Sequence, residues 1–426
     1  MNFAFRNSAR STLARGALAF AFIAFSASMA NARPFDEIMT EARAAFVAED
    51  FAKAADLLDE AQIDRPYSLY LARNRILTRI LTDRMDEAIA IAGDLAGRGL
   101  TLETPQNEAF DRMRAEPAFA PIAERMAQNA LPMGKATLVF EDPADDLLPE
   151  ALIREDGGRF LIGSVRTGAI AQSTRADGQR DVISAMGGVF DIEPGEEEIW
   201  AAVNNQITYS KAATEPPFAA IAVYNRKTGV MKREVRVTNG ETLFGDLELS
   251  KNADAYVSDS ITPRIMVLPH GAGKIEDFIN DPRFVNLQGL ALDETNGRLF
   301  VADYLAGLFV IDLKSKAVTR IANPTDAHLG GVDGLYLYKG DLIGVQNGTT
   351  PQRIIRIGLD KRGTTATSLT ILQKALPEWN EPTHGFVDGD TFYYIATSNW
   401  PAYDDEGAHR EGARREPLRI MSVDLN

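Results

Sequence analysis

The chain has 426 residues, 45% of them apolar and 25% charged, with 45 basic side chains against 60 acidic ones and a net charge of −15. That is length enough for more than one core. An acidic surface without a Lys/Arg cluster argues against nucleic acid and anionic membranes as partners. The absence of cysteine excludes disulfides, thiolate metal sites, a cysteine nucleophile and a lipidated N-terminus.

Residues 1–32 read as a secretory signal peptide. Arg6, Arg10 and Arg15 precede an apolar run from Gly16 to Phe25, and Ala30-Asn31-Ala32 offers a small-x-small cleavage site. The run is too short for a spanning helix, and an uncleaved N-terminal anchor is the bland alternative. Cleavage takes the net charge from −15 to −18, with 42 basic against 60 acidic side chains. The expected product is a periplasmic protein with no membrane segment in its mature form.

Residues 34–131 form the next expected unit, a helical domain. Apolar residues recur at three and four in ARAAFVAEDFAKAADLLDEA and in RILTRILTDRMDEAIAIAGDLAGRG, with Gly97 and Gly99 as stop signals. The small residues Ala44, Ala45, Ala54 and Ala55 suit a close helical pair, and both stretches resemble tetratricopeptide-type hairpins. Pro117 and Pro121 mark places where further helices can begin. So few repeats fit either a cap packed on its neighbour or a groove that recruits a protein partner.

At Leu131-Pro132-Met133-Gly134 the period changes to 2. From there, five segments read as one segment repeated: PEALIREDGGRFLIGS, GDLELSKNADAYVSD, LQGLALDETNGRLFVAD, VDGLYLYKGDLIGVQN and THGFVDGDTFYYIATS. Their polar openers are Glu150, Asp246, Gln288, Asp333 and His384, spaced 96, 42, 45 and 51 residues apart. The widest gap holds one more strand pair from Gly187, whose opener is ambiguous. Six units of four strands predict a mainly β fold, a six-bladed β-propeller over 135–426. A large β-sandwich is the alternative that the even spacing disfavours. The last unit supplies three strands and KATLVFE precedes the first, so Thr137 to Phe140 should pair beside Leu418 to Val423 and close the ring.

Propeller topology gathers the starts of the inner strands, the loops between second and third strands and the loops between blades onto one rim. The expected rim holds the five openers, Asn347 in QNGTTPQ, and Asn399 and Trp400 in the long loop SNWPAYDDEGAHREGARREP. A ring of Glu, Asp, Gln, Asp and His in one channel needs a counter-charge, either a cation or a protonated His384. A polar plug of mutual hydrogen bonds is the structural alternative. His328, in an inter-blade loop, reads as a solvated side chain, and no Gly-x-Ser-x-Gly elbow supports serine-hydrolase chemistry.

The segments LPEALIREDGGRFLIGSVRTGAI, LQGLALDETNGRLFVADYLAGLFVIDL and GVDGLYLYKGDLIGV resemble the regucalcin/gluconolactonase/strictosidine-synthase-like superfamily of six-bladed propellers. The resemblance implies a divalent cation, usually calcium, at the channel mouth. It places Glu150 and Asp333 as metal ligands, Gln288 at a family Asn position, and Gly245, beside Asp246, at another. It further implies hydrolysis of a lactone or related ester, for which Asp333 or His384 would be the base, and the rim geometry turns Asp246, Gln288, Asn347, Asn399 and Trp400 toward the ligand. The competing reading is a non-enzymatic scaffold that uses the helical domain and the propeller face to bind proteins.

Overall fold

The computed structural model describes residues 33–426 except 156, 175–177, 206–209, 212–215 and 239–240, with the side chains of 174 and 178–181 also left aside. The expected signal peptide, 1–32, lies outside the described residues. Among those described, no helix is long and apolar enough to cross a membrane.

Six helices come first: α1 (Phe35–Val47), α2 (Phe51–Asp64), α3 (Leu69–Leu81), α4 (Met85–Gly97), α5 (Glu108–Ala115) and α6 (Ala120–Asn129). Side-chain caps start three of them. Asp50 accepts from Lys53 N at 3.1 Å, Ser68 from Leu71 N at 3.2 Å and Asn107 from Phe110 N at 3.1 Å. Helix α4 ends before Gly99, which takes a left-handed φ of 77°. Pro117 opens a 3₁₀ turn, and Pro121 sits in the first turn of α6. Ile76, Ile80, Ala88, Ala92, Phe110 and Met113 bury the facing stripes of α3, α4 and α5.

Six four-stranded antiparallel sheets follow as the blades of a propeller. Their inner strands are Pro149–Arg154, Gly188–Pro194, Phe244–Leu249, Leu287–Asp293, Leu335–Tyr338 and Gly385–Asp388, in blades 1 to 6. Blade 6 takes its outer strand, Thr137–Asp142, from the start of the region. Thr137 pairs with Ser422, Leu138 with Met421 and Phe140 with Ile420, so the ring closes without a free edge. Alternate residues of each strand fill the layers between blades, as with Phe244, Leu247 and Val257 between blades 2 and 3.

The helices rest on the mouth face, against blades 4 and 5. Tyr67 N donates to Leu305 O at 3.2 Å and Thr101 N to Thr350 O at 2.6 Å. Asn323 Nδ2 donates to the Tyr67 hydroxyl at 3.1 Å, and Arg98 pairs with Asp326 at 2.7 Å. The Tyr67 ring fills a notch at Gly307 and Gly330, where an added Cβ would collide with it. Gly307 also has a φ of 92°, which only glycine adopts without strain.

Candidate functional site at the channel mouth

Strand register separates the residues that open the inner strands. In blade 1 Pro149 pairs with Ser164 and Ala151 with Gly163, so Glu150 is an extra, bulged residue. The same bulge falls at Phe190 in blade 2, and in blade 4 Gln288 and Gly289 together face Ala302. In blade 3 Gly245 and Asp246 together face Ser258. In blade 5 Asp333 N donates to Val345 O while Val345 N donates to Gly334 O. In blade 6 Thr383 and His384 make the same pair of bonds with Ile395. Hydrogen bonding therefore aligns Glu150, Phe190, Gly245, Gln288, Asp333 and Thr383 as one tier. Ala151, Asp191, Asp246, Gly289, Gly334 and His384 form the next tier inward. This corrects the single ring of five openers expected from the sequence, because a bulge shifts the face of every residue after it by one.

Two clusters result, and both include His384. Glu150, Asp333 and His384 can each place one ligand atom within 4.8 Å of the others, and so can Asp191, Asp246 and His384. The upper cluster sits at the mouth. Glu150 accepts a hydrogen bond from Trp400 Nε1. Asp333 Oδ2 accepts from Asn347 Nδ2 at 2.6 Å, and Asn347 Oδ1 accepts from the Tyr304 hydroxyl at 2.8 Å. The buried Asp303 carboxylate shapes the turn that presents Tyr304, accepting from the amides of Val285, Asn286, Leu305 and Ala306. Gln288 turns its Nε2 to Asn286 Oδ1 at 2.9 Å. An added Cβ at Gly245 would lie 2.9 Å from Ser260 Oγ and 3.1 Å from Ser258 Oγ, so those hydroxyls occupy the space a larger residue would need.

The lower cluster ties blades together. Asp191 Oδ2 accepts from Leu247 N at 2.9 Å and Asp246 Oδ2 from Leu290 N at 2.6 Å, each bridging to the next blade. Two residues further inward, Glu193 and Glu248 extend the acidic lining. The sequence already carried a sign of Asp191: Asp191-Ile192-Glu193 repeats the pattern Asp246-Leu247-Glu248. An apolar bulge residue, Phe190, hid the correspondence.

Burial governs the charge of this channel. It pushes Glu150 well above the usual carboxylate range, and Asp333 and Glu381 push it further while His384 opposes. Asp246 and Glu193 are also raised well above that range, first by burial and then by neighbouring carboxylates. Burial, with Asp191, brings Glu248 up to about 8. Burial raises Asp333, with His384 and Asn347 holding it down. Burial alone would lower His384, yet Asp191, Asp246 and Asp333 raise it well above an ordinary histidine. Its Nδ1 lies 3.6 Å from Asp191 and its Nε2 4.0 Å from Asp333. His384 is the internal cation of the channel.

Two other polar groups stand apart from their sequence readings. Asn399 holds its own loop in place: Nδ2 donates to Asp145 O and Glu416 O, while Oδ1 accepts from Asn380 Nδ2 and Glu416 N. His328 is 2% exposed, edge-on to the Tyr67 ring at 5.1 Å, which corrects the expectation of a solvated loop histidine. Glu381 and Tyr304, which no motif singled out, join the mouth through their loops.

The fold and site thus define a six-bladed β-propeller whose mouth is acidic around one buried imidazolium. No known family profile and no curated protein matches the chain. Among solved structures it is similar to a PQQ-bound aldose sugar dehydrogenase of Streptomyces coelicolor, at 14% identity, covering 69% of this chain and 99% of that one, with a TM-score of 0.46. A glucose dehydrogenase-like oxidoreductase of Thermus thermophilus is similar at 16% identity, covering 68% and 99%, with a TM-score of 0.47. Virginiamycin B lyase of Staphylococcus aureus is similar at 16% identity, covering 68% and 99%, with a TM-score of 0.44. Likenesses this remote carry no activity over to this chain.

Proposed function

We propose that the mouth binds a small organic ligand and hydrolyses a lactone or related ester, with a divalent cation held by Glu150 and Asp333. The observation that carries this reading is the convergence of the Glu150 and Asp333 carboxyl oxygens, beside the His384 ring, within 4.8 Å at the mouth. Their chemistry fits a hard cation such as calcium. Two carboxyl groups kept high by burial would ionise against it, and the Gln288 amide, whose Nε2 is held by Asn286, offers a neutral oxygen. Such a cation would polarise the ligand carbonyl.

The chain's own residues divide the proton work. Asp333, oriented by Asn347, takes the proton of the attacking water as its oxygen bonds to the carbonyl carbon. His384, held charged by Asp191 and Asp246, gives a proton to the ring oxygen as the acyl C–O bond breaks. Trp400 and Tyr304 wall the mouth and fix Glu150 and Asn347 through their polar tips.

Calcium titration at fixed anion concentration tests the cation. Melting temperature should rise with calcium in the wild type, reaching about 2.7 kcal/mol of stabilisation at a hundred times the dissociation constant. Glu150→Ala should abolish that rise. A folded wild type indifferent to calcium and inert toward lactones removes the reading.

A further inference from the structure

We propose that the seam between the helices and blade 5 holds a small inorganic anion of chloride size beside Arg353. Among the described residues Arg353 is the largest fully buried side chain, with 0% exposure. Its Nε donates to Gln346 Oε1 at 2.8 Å and its Nη1 to Arg98 O at 3.1 Å, and both acceptors are neutral. Burial alone accounts for its depressed basicity, with no carboxylate contributing. An unpaired buried charge is destabilising by several kcal/mol, and among the described residues no carboxylate pairs with Arg353, while Arg98 beside it is paired with Asp94 and Asp326.

Arg353 is not alone in the seam. Gln346 Nε2 donates to His328 O at 2.9 Å, so a single amide joins the Arg353 guanidinium to the loop that carries His328. Among the described residues no acceptor or donor meets Arg353 Nη2, Arg98 Nε or either nitrogen of the His328 ring. The two guanidinium nitrogens and the one protonated nitrogen of the neutral His328 ring are buried donors, and they call for an acceptor. A water would satisfy hydrogen bonds and leave the Arg353 charge uncompensated, whereas an anion does both. The full burial of Arg353 and His328 favours a monatomic ion over a phosphate or an organic acid.

The position gives the anion a task. Arg353 belongs to the propeller and Arg98 to the end of α4, so an ion between them fastens the helices to the mouth face. This site is independent of the proposed chemistry at Glu150 and Asp333.

The test compares sodium chloride with sodium gluconate at equal ionic strength and fixed calcium. In chloride the melting temperature should rise and saturate. Exchange of the Thr101 amide, which donates across the seam, should slow by about tenfold at ten times the dissociation constant. Arg353→Met should lose both responses. Bromide-soaked crystals should show an anomalous peak against Arg353 Nη2, a readout that stands even if the variant does not fold. Equal behaviour in the two salts, a chloride response retained by Arg353→Met, or no bromide at Arg353 overturns the proposal.

Discussion

His384→Leu should destabilise the protein by about 3–5 kcal/mol at neutral pH, because among the described residues it removes the cation that Asp191, Asp246 and Asp333 face. The loss should be largest below about pH 6.5 and shrink as pH rises through the folded value of His384, well above that. Each carboxyl group whose folded pKa lies above its unfolded one keeps a proton that the unfolded chain has released. Its contribution is intact below about pH 4 and lost as pH rises through the folded value, about 8 for Glu248. The raised His384 acts in the same sense. Its contribution is whole below about pH 6.5 and lost as pH passes its folded value, well above that. Cation-free wild type should therefore lose stability between about pH 4 and pH 8, and His384→Leu, which lacks the histidine contribution, should lose it less steeply. His328 works in the opposite sense. Burial first, then Arg353 and Arg98, lower it well below 6.5, so its contribution is whole above about pH 6.5 and lost as pH falls. Urea melts of wild type and variant at pH 5, 6.5 and 8 give the comparison. A gap between the two proteins that stays constant with pH would remove His384 from its role as counter-ion.

Tyr67→Ala should cost about 3 kcal/mol, with the loss confined to the contact between helices and propeller. The ring packs at Gly307 and Gly330, edge-on to His328, and its hydroxyl accepts from Asn323. Gly330→Ala should mimic it from the other side, since the added methyl would occupy the place of the Tyr67 Cβ. Amide exchange is the measurement: protection at Tyr67 and Thr101 should collapse in both variants, while the inner strands of blades 1 to 3 keep theirs. Uniform loss of protection across the ring would mean that the helices and the propeller unfold as one unit.

The blade count and the closing strand were legible because a propeller repeats its turn chemistry and alternation. The orphan strand at Thr137 announced its partner by the strand missing after Leu418. The helical region was legible from its period and from the positions of Gly99, Pro117 and Pro121. What the sequence hid was register. A bulge has no residue signature when its members are Glu, Phe, Gly, Gln, Asp and Thr, so two tiers looked like one ring. Long-range contacts were hidden for a different reason. Nothing local to His328 tells that Tyr67, 261 positions earlier, lies over it, or that Arg353 shares its seam. Asn399 misled because asparagine serves equally well as a ligand contact and as a loop clasp, and only its partners separate the two.

The seam in blade 6 also sets an order of events during synthesis. Thr137–Asp142 emerges from the ribosome almost 300 residues before Leu418–Asp424, its partner. Through that interval the first strand of the ring has an open edge, and blade 6 cannot be completed until Leu418–Asp424 appears. The helices are finished long before the blades they sit on. Their Tyr67 knob therefore stays uncovered until Gly307 and Gly330 arrive, and the edge at Thr137–Asp142 stays open longer still, until Leu418–Asp424 completes blade 6.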